Sequence, residues 1–282
     1  MDIRKKVLLF FLYLPLNVFC SEDGILSLNI LVYNTHGLPE IFIDDNPKMR
    51  FPIIGEKTQD YNISLLQEDY SHHEELSSGL SKLSLAYRGG TGTLLCPFCT
   101  GSGLTSIFNL PVGWLIDVEN ETYEDCSGWF IGANDCFAYK GFQIIKVTPP
   151  NKKEFYILNT HMDAGRRNSD RGAREKQLEQ IVSVIKQETQ TKALIVAGDL
   201  NLNSKDPRDM SLLKKFKEEL SLIDTFKNTQ IDEKWSVLDY ILLKQGEDTK
   251  FKVNSVGEDK SFLTEVGPLS DHPALSIDLS IY

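Results

Sequence analysis

Apolar segments of strand-like length recur along the chain, and a polar side chain stands at the end of many of them. Residues 25–34 alternate between apolar and polar positions, which is the period of a half-buried strand, and this segment ends at Asn34. The apolar segment 63–66 leads into Glu68, and the apolar segment 193–197 leads into Asp199. Short apolar segments of this kind are typical of buried strands. The chain is therefore expected to fold around β-sheet, with polar residues placed at strand ends.

The remaining segments predict a mixed α/β fold. Further strands are predicted at residues 142–147, 155–159, 238–243 and 273–281, with a short helix at 51–60. Between residues 170 and 188, Leu178, Ile181 and Ile185 recur at helical spacing, which predicts an amphipathic helix that covers a sheet. Because strands and helices alternate only in part, two sheets are favoured over a βαβ barrel.

The first twenty residues have the layout of a secretory signal peptide. A basic head at residues 4–6 precedes an apolar stretch at 7–16, and polar residues follow Cys20. A membrane anchor is the alternative, but Pro15 interrupts the stretch, which is also shorter than the ~18 residues that a spanning helix needs. We expect cleavage near Cys20, a single catalytic domain over residues 21–282, and a secreted, extracellular protein.

Removal of this segment leaves an even number of cysteines: Cys96, Cys99, Cys126 and Cys136. Two disulfides would use all four, which suits an oxidising destination. The spacing of Cys96 and Cys99 also fits half of a zinc site or a redox pair. Since no second CxxC pair or histidine cluster accompanies it in the sequence, disulfides are favoured.

The composition is that of an ordinary globular protein, with 41% hydrophobic and 25% charged residues. The formal net charge of −10 argues against nucleic acid as a partner, because non-specific binding to nucleic acid needs a basic face. It does not exclude a nuclease, since a local basic groove or bound cations can offset an acidic total. No sequence feature indicates an obligate protein partner.

Eight polar residues at or near the predicted strand ends are candidates for chemistry: Asn34, Glu68, His161, Asp199, Asn201, Asp239, Asp271 and His272. Each has an ordinary explanation by itself, because Asp and Asn are frequent in turns and a single histidine is more often structural. Their local sequences form an ordered set: Tyr33-Asn34-Thr35-His36-Gly37, Leu66-Gln67-Glu68, Asn159-Thr160-His161-Met162-Asp163, Gly198-Asp199-Leu200-Asn201, Leu238-Asp239-Tyr240-Ile241-Leu242 and Ser270-Asp271-His272-Pro273.

In this order the segments resemble the endonuclease/exonuclease/phosphatase superfamily, from about Leu28 to the C-terminus. The resemblance implies a four-layer α/β/β/α fold, in which two packed β-sheets are flanked by helices. It places the active site at the ends of the sheets. It also implies hydrolysis of a phosphodiester, which needs an activated water, neutralisation of charge on the phosphorane and a stabilised leaving oxygen.

The resemblance further implies individual roles at a metal-dependent site. Glu68 would be the principal metal ligand, with Asn34 supporting the metal and phosphate site and Asp271 as a further ligand. His272 would be the general base, oriented by Asp239. Carboxylate and amide oxygens suit Mg²⁺, with Mn²⁺ or Co²⁺ as alternatives.

Three more roles follow from the same resemblance. Asp199 and Asn201 would position water, phosphate or a second metal, and His161 would stabilise the transition state or assist the leaving group. Whether the site holds one cation or two changes these roles, so the number of cations stays open.

One segment bears on the substrate, because the superfamily acts on DNA, RNA, phosphoinositides and sphingomyelin. Residues 135–142 resemble the neutral sphingomyelinase segment D-x-x-A-x-K-G-[VF], in which the acid and the lysine form a switch that orders the active site. Asp135 and Lys140 match its spacing; the alternative is a surface turn with an incidental ion pair. In contrast, residues 108–111 depart from the Ser-Arg/Lys-Tyr/Phe-Pro sequence of many members, which leaves substrate contacts there open.

The leading prediction is hydrolysis of sphingomyelin to ceramide and phosphocholine at a sphingomyelin-containing membrane surface. The segment Trp129-Phe130-Ile131, between Cys126 and Cys136, is either an aromatic loop that meets the membrane or part of the core. One rival function is a secreted deoxyribonuclease of the same fold. A non-enzymatic binding module or toxin subunit is the other rival, although that function predicts losses in the catalytic set and none is present.

Overall fold

Two six-stranded sheets pack face to face, and each combines antiparallel neighbours with one parallel pair. The computed structural model describes residues 25–40, 45–90, 101–128, 135–226, 238–265 and 267–282. Three predictions lie outside these residues: the signal peptide, the pair Cys96 and Cys99, and the aromatic segment 129–131. Within the described ranges, no helix has the length and apolar character needed to cross a membrane.

The first sheet is built around the strand predicted from the alternation at residues 25–34. In sheet order its strands are β11 (Phe251–Glu258), β14 (Leu275–Ile281), β1 (Leu26–Asn34), β2 (Ile63–Gln67), β4 (Thr105–Phe108) and β3 (Leu85–Arg88). β1 is parallel to β2, with Asn34 beside Gln67, and antiparallel to β14, with Val32 beside Leu275. The end of β1 therefore lies between the residues that follow β2 and those that precede β14.

The second sheet places three predicted site residues side by side. In sheet order its strands are β5 (Leu115–Thr122), β6 (Gly141–Thr148), β7 (Phe155–His161), β8 (Leu194–Asp199), β10 (Asp239–Lys244) and β9 (Ile223–Asp224). β8 is parallel to β7 and antiparallel to β10, so that Asp199 lies beside both His161 and Asp239 in the strand register. A separate two-stranded ribbon joins β12 (Leu263–Thr264) to β13 (Gly267–Pro268).

Helices cover the outer face of each sheet. The helices are α1 (Pro47–Lys57), α2 (His73–Ser78), α3 (Asn168–Glu188) and α4 (Pro207–Leu220). Phe51 and Leu76, from α1 and α2, pack on the outer face of the first sheet, whereas Ile181 and Phe216, from α3 and α4, pack on that of the second. This arrangement confirms the predicted four-layer α/β/β/α architecture.

Strand β8 shows why its sequence is apolar without alternation. Ile195 and Ala197 belong to the core between the two sheets, while Leu194 and Val196 belong to the core beneath α3 and α4. Successive side chains of a strand point to opposite faces, and both faces of β8 are covered. Burial of both faces therefore accounts for the unbroken apolar sequence at residues 194–197.

Some elements were not predicted from the sequence: α2, α4, β3, β4, β5, β9, β11 and the β12–β13 ribbon. The start of α4 could have been predicted, because an N-cap residue, Asp206, is followed by a proline at the first helical position. In the structure the Asp206 side chain accepts a hydrogen bond from Arg208 N at 2.9 Å. Strand β5 gives no such signal, since most of its residues are exposed and charged or polar. The helix predicted at 51–60 begins earlier, at Pro47, and ends in a 3-10 turn over Thr58–Asp60.

Two of the four cysteines that were expected to form disulfides are paired, and the other two lie outside the described residues. Cys126 and Cys136 are bonded, with a Cα–Cα distance of 5.2 Å. Cys136 is next in the chain to Asp135, which belongs to the site described below. A disulfide is typical of proteins that fold in an oxidising compartment.

Candidate active site

Asn34 joins acidic residues from the two sheets. Its side-chain amide donates hydrogen bonds to Glu68 Oε1 and to Asp199 Oδ2, each at 3.0 Å. Asn34 ends β1 and Glu68 follows β2, whereas Asp199 ends β8 of the other sheet. His36 N donates to Asn34 Oδ1 at 3.1 Å, so the orientation of the amide is set by its own loop. The predicted residues of the first and second sheets therefore form one site.

Glu68 occupies an uncommon backbone conformation. Its φ of 59° is in the left-handed region, which is unfavourable for a residue with a long side chain. Gly37 N donates to the Glu68 carbonyl at 2.8 Å, and a Cβ at Gly37 would approach that carbonyl oxygen to 2.3 Å. Strained conformations of this kind occur most often at functional sites. The glycine of the loop after β1 is thus required by the position of Glu68.

Two carboxylates of the site, those of Glu68 and Asp199, have raised pKa values because they are buried. Burial raises the pKa of Glu68, and Lys140 opposes this effect. Burial, and then the nearby Asp239 carboxylate, raise the pKa of Asp199 to about 6. A cation that binds beside these carboxylates stabilises their ionised forms. The raised pKa values are therefore consistent with a cation-binding site.

His161 lies between Glu68 and Lys140. Its Nε2 is 3.5 Å from Glu68 Oε1 and 3.0 Å from Lys140 Nζ. Burial, together with the positive charge of Lys140, holds the pKa of His161 well below its usual range, so the imidazole is neutral. The ammonium donates to Nε2, and the ring hydrogen is then on Nδ1.

Asp135 and Lys140 form a buried ion pair beside this histidine. Lys140 Nζ lies 2.6 Å from Asp135 Oδ1 and also donates to Met162 O at 3.0 Å. Asp135 Oδ2 accepts from Ala164 N at 2.8 Å. Burial lowers the pKa of Lys140, but the Asp135 carboxylate and other nearby acids outweigh burial and raise it. The predicted pair is therefore not a surface turn, and it directly contacts a site residue.

His272 and Asp239 form the second half of the site. His272 Nδ1 lies 2.8 Å from Asp239 Oδ2, and its Nε2 lies 3.9 Å from Asp199 Oδ2. Burial by itself lowers the pKa of His272, but the carboxylates of Asp239 and Asp199 outweigh burial and raise it to about 11. A general base needs a neutral imidazole, and a divalent cation shared by these carboxylates would lower this pKa.

The last two predicted residues differ in their placement. Asn201 N donates to Asp199 Oδ1 at 2.8 Å and its side-chain amide donates to Met162 O at 3.1 Å, so it holds the carboxylate of Asp199 in place. Asp271 is at the edge of the site, with its side chain 59% exposed and 3.7 Å from His36. Its assignment as a metal ligand stays a prediction.

The donor atoms fit a hard divalent cation. Two groups of three residues share Asp199. The first is Glu68, His161 and Asp199, and the second is Asp199, Asp239 and His272; within each group the ligand atoms lie within 4.8 Å of one another. Oδ1 of Asp239 is buried and has no hydrogen-bond partner among the described residues, which leaves it available to a cation or a water. Carboxylate oxygens predominate, as Mg²⁺ prefers. The residues fit one cation, or two that share Asp199.

Sequence and structure comparisons show what the chain is similar to. No family model matches the chain. A sphingomyelinase of Mycobacterium tuberculosis is 25% identical to it over 263 residues, which cover 86% of this chain and 51% of the relative. The chain thus spans about half the length of the curated relatives it matches. Among solved structures, a mutant of Staphylococcus aureus beta toxin with bound magnesium ions has a TM-score of 0.63 at 16% identity, covering 91% of this chain and 99% of that one.

The chain has the endonuclease/exonuclease/phosphatase fold. Humanized TDP2 of D. rerio has the same fold and a TM-score of 0.69 at 14% identity, over 90% of this chain and 98% of that one. Solved structures with different names thus share this fold with the chain. The fold by itself does not choose the substrate.

Two residues that the sequence analysis did not single out contact the candidate site or its loops. The Tyr70 hydroxyl lies 3.5 Å from His161 Nδ1, and the position of Tyr70 two residues after Glu68 was an available signal. The buried guanidinium of Arg50 donates to Thr35 O at 3.0 Å and to Leu269 O, and so ties the loop after β1 to the loop before β14. The sequence around Arg50 does not indicate this role, because its partner Leu269 is 219 residues away in the chain.

Loss of the Lys140 ammonium is expected to destabilise the protein. We expect Lys140→Met to lower the free energy of unfolding by about 3–5 kcal/mol, because the buried Asp135 carboxylate would lose its ion pair. Urea denaturation measures this change. The control Lys214→Met, at a side chain that is 75% exposed on α4, should change stability by less than ~0.5 kcal/mol. The double variant Asp135→Asn/Lys140→Met should recover most of the loss, and a single variant as stable as the control contradicts the prediction.

Proposed function

We propose that this chain is a metal-dependent phosphodiesterase that hydrolyses sphingomyelin to ceramide and phosphocholine, a cleavage of the phospholipase C type. The observation that carries the proposal is the assembly of the predicted catalytic set beside the buried Asp135–Lys140 pair. Sequence similarity to relatives named sphingomyelinase supports this lipid as the substrate. The net charge of −10 also favours it over DNA.

In this mechanism His272 takes a proton from the attacking water. Its Nδ1 is held by Asp239, which fixes the tautomer and leaves Nε2 to accept the proton. The water oxygen bonds to phosphorus while the bond from phosphorus to the ceramide oxygen breaks. The ceramide oxygen takes up a proton from the solvent, and His272 returns to the solvent the proton that it accepted. The Lys140 ammonium and the Asn34 amide add hydrogen-bond donors to the same site.

Mg²⁺ is the cation that we propose, held by Glu68 and Asp199 with Asn34 in support. When bound, it would neutralise charge on the phosphate oxygens and make water easier to ionise. The magnesium ions in the beta toxin structure of the same fold support this choice. Mn²⁺ and Co²⁺ accept similar ligands and are expected to replace Mg²⁺ in part.

Removal of the cation is expected to abolish activity. Sphingomyelin liposomes should release phosphocholine in the presence of Mg²⁺, release none in EDTA, and recover release when Mg²⁺ is added in excess of the chelator. Equal release with and without EDTA contradicts the metal-dependent mechanism. A folded protein that nicks plasmid DNA and releases no phosphocholine would instead be the deoxyribonuclease. Liposome binding without either activity would indicate the binding module.

We also propose that residues 1–20 are removed on export and that the catalytic domain, residues 21–282, acts outside the cell at a membrane that contains sphingomyelin. The disulfide between Cys126 and Cys136 supports an oxidising destination. Expression of the full chain in a secreting host should place the protein in the medium. Mass spectrometry should find a new N-terminus near Cys20; retention in the cell with residues 1–20 intact contradicts this proposal.

A further inference from the structure

The candidate site is divided between two sheets that are held together mainly by apolar packing. Asn34 and Glu68 belong to the first sheet, and His161, Asp199 and Asp239 belong to the second. The core between the sheets consists of aliphatic and aromatic side chains. Apolar packing is non-directional, so it brings the sheets together without specifying their relative position to a fraction of an ångström. A metal site that spans the sheets requires such precision.

Four buried polar side chains cross this apolar core, and we call them the intersheet network. Gln67 and Ser106 come from β2 and β4 of the first sheet, and Gln143 and Asn159 come from β6 and β7 of the second. All four are fully buried. Together they join the two sheets through hydrogen bonds between side chains, in a core that otherwise makes apolar contacts around them.

The intersheet network is connected through Asn159. Its Oδ1 accepts from Gln67 Nε2 at 2.8 Å, and its Nδ2 donates to Gln143 Oε1 at 3.2 Å and to Ser106 Oγ at 3.3 Å. Ser106 Oγ also donates to Gln143 Oε1 at 2.7 Å. Asn159 further donates to the backbone carbonyl of Leu66 at 3.3 Å. Hydrogen bonds are directional, so this set fixes the position of β7 relative to β2.

The intersheet network lies directly behind the site. Gln67 precedes Glu68 in the chain, and Asn159 precedes His161 by two residues on β7. Any shift of β7 relative to β2 would therefore change the distance between the Glu68 carboxylate and the His161 ring, which is now 3.5 Å. It would also move Asp199, which pairs with His161 in the register of β7 and β8.

Stability alone does not account for these residues. Side-chain amide atoms buried in an apolar core are costly unless fully hydrogen-bonded, and Gln67 Oε1 has no hydrogen-bond partner among the described residues. Apolar side chains of the same shape would fill this space without that penalty. A local arrangement that is unfavourable by itself is expected near functional sites.

We propose that the intersheet network positions Glu68 relative to His161 and Asp199, and so sets the affinity of the site for its divalent cation. Its members are positioning residues, because they act through the ligands. The inference rests on the proposed metal site but not on the choice of sphingomyelin as the substrate.

The test replaces the intersheet network with apolar side chains of similar shape, in the variant Gln67→Met/Ser106→Ala/Gln143→Met/Asn159→Leu of the full chain. Mn²⁺ and Mg²⁺ binding is measured by titration calorimetry, and the midpoint of thermal unfolding is measured on the same samples. We expect a folded protein whose cation affinity is lower by about 10–100-fold, the usual effect of losing residues that orient metal ligands. Cation affinity within twofold of that of the unsubstituted protein overturns the proposal.

The matched control is Thr189→Val, which removes a fully buried hydroxyl that donates to Ile185 O at 2.8 Å at the end of α3, away from the site. It should leave cation affinity unchanged. If the variant with all four substitutions does not fold, the single variant Gln67→Met is measured instead. A cation affinity within twofold of that of the unsubstituted protein then overturns the proposal. Absence of cation binding by the unsubstituted protein also overturns the proposal. Phosphocholine release tests the substrate separately, so cation binding without release would reject sphingomyelin and leave the positioning role intact.

Discussion

Glu68→Gln is expected to reduce phosphocholine release by roughly a thousandfold, the scale of losing a major source of transition-state charge stabilisation. The substitution keeps the shape of a side chain that is only 15% exposed and removes its negative charge. A neutral amide oxygen binds a hard divalent cation more weakly than a carboxylate does, because it carries no negative charge. Liposome assays at saturating Mg²⁺, together with calorimetric titration of the cation, measure the two consequences, and we expect both turnover and cation affinity to fall.

Glu218→Gln serves as the matched control, since its side chain is 68% exposed on α4 and lies outside both groups of ligand atoms. It should behave like the unsubstituted protein in both assays. Turnover by Glu68→Gln within tenfold of the control would show that Glu68 is not the principal metal ligand. A loss of turnover with unchanged cation affinity would assign it a different role.

His272→Ala is expected to lower kcat by about 10²–10⁴-fold, the range for loss of a general base. The expected cause is the loss of the one nitrogen, Nε2, that the Asp239 contact leaves to accept the proton of water. Because the cation is proposed to be held by Glu68 and Asp199, cation affinity should fall much less for His272→Ala than for Glu68→Gln. Initial rates on sphingomyelin liposomes and cation titration measure the two effects.

Added imidazole provides the control for the role of His272. A small base that enters the space left by the side chain should restore part of the rate of His272→Ala and should leave that of Glu68→Gln unchanged. Full activity of His272→Ala without imidazole would remove it from the mechanism. Loss of cation binding equal to that of Glu68→Gln would make it a metal ligand instead.

Much of the fold was predictable because the elements that build it carry local patterns. The alternation at residues 25–34 predicted β1, observed over Leu26–Asn34, and the helical spacing at 170–188 predicted α3, observed over Asn168–Glu188. Strand β5 was missed because a largely exposed edge strand needs no apolar alternation. Helix α4 was missed although its cap at Asp206 and its apolar spacing were present in the sequence.

The residues of the candidate site were less predictable from the sequence than the fold was. Polar residues at strand ends were visible as candidates, and the structure brings most of them together, whereas it leaves Asp271 at the exposed edge. Arg50 was not identified because its contacts are made with loops distant in the chain, whereas Tyr70 was missed although its position two residues after Glu68 was an available signal. The substitutions above test the catalytic and metal-binding roles.

The sequence by itself determined the strands and helices that carry a local apolar pattern, such as β1 and α3, and the polar residues that stand at strand ends, because these features depend on neighbours within a few positions. Only the tertiary structure decided how those residues meet. Asn34 and Asp199 are 165 residues apart in the chain, yet Asn34 Nδ2 donates to Asp199 Oδ2 at 3.0 Å. Gln67 and Asn159 are 92 residues apart, yet they share a hydrogen bond of 2.8 Å. Protonation is decided at the same level, since burial and neighbouring charges, not residue type, make His161 neutral and raise the pKa of His272.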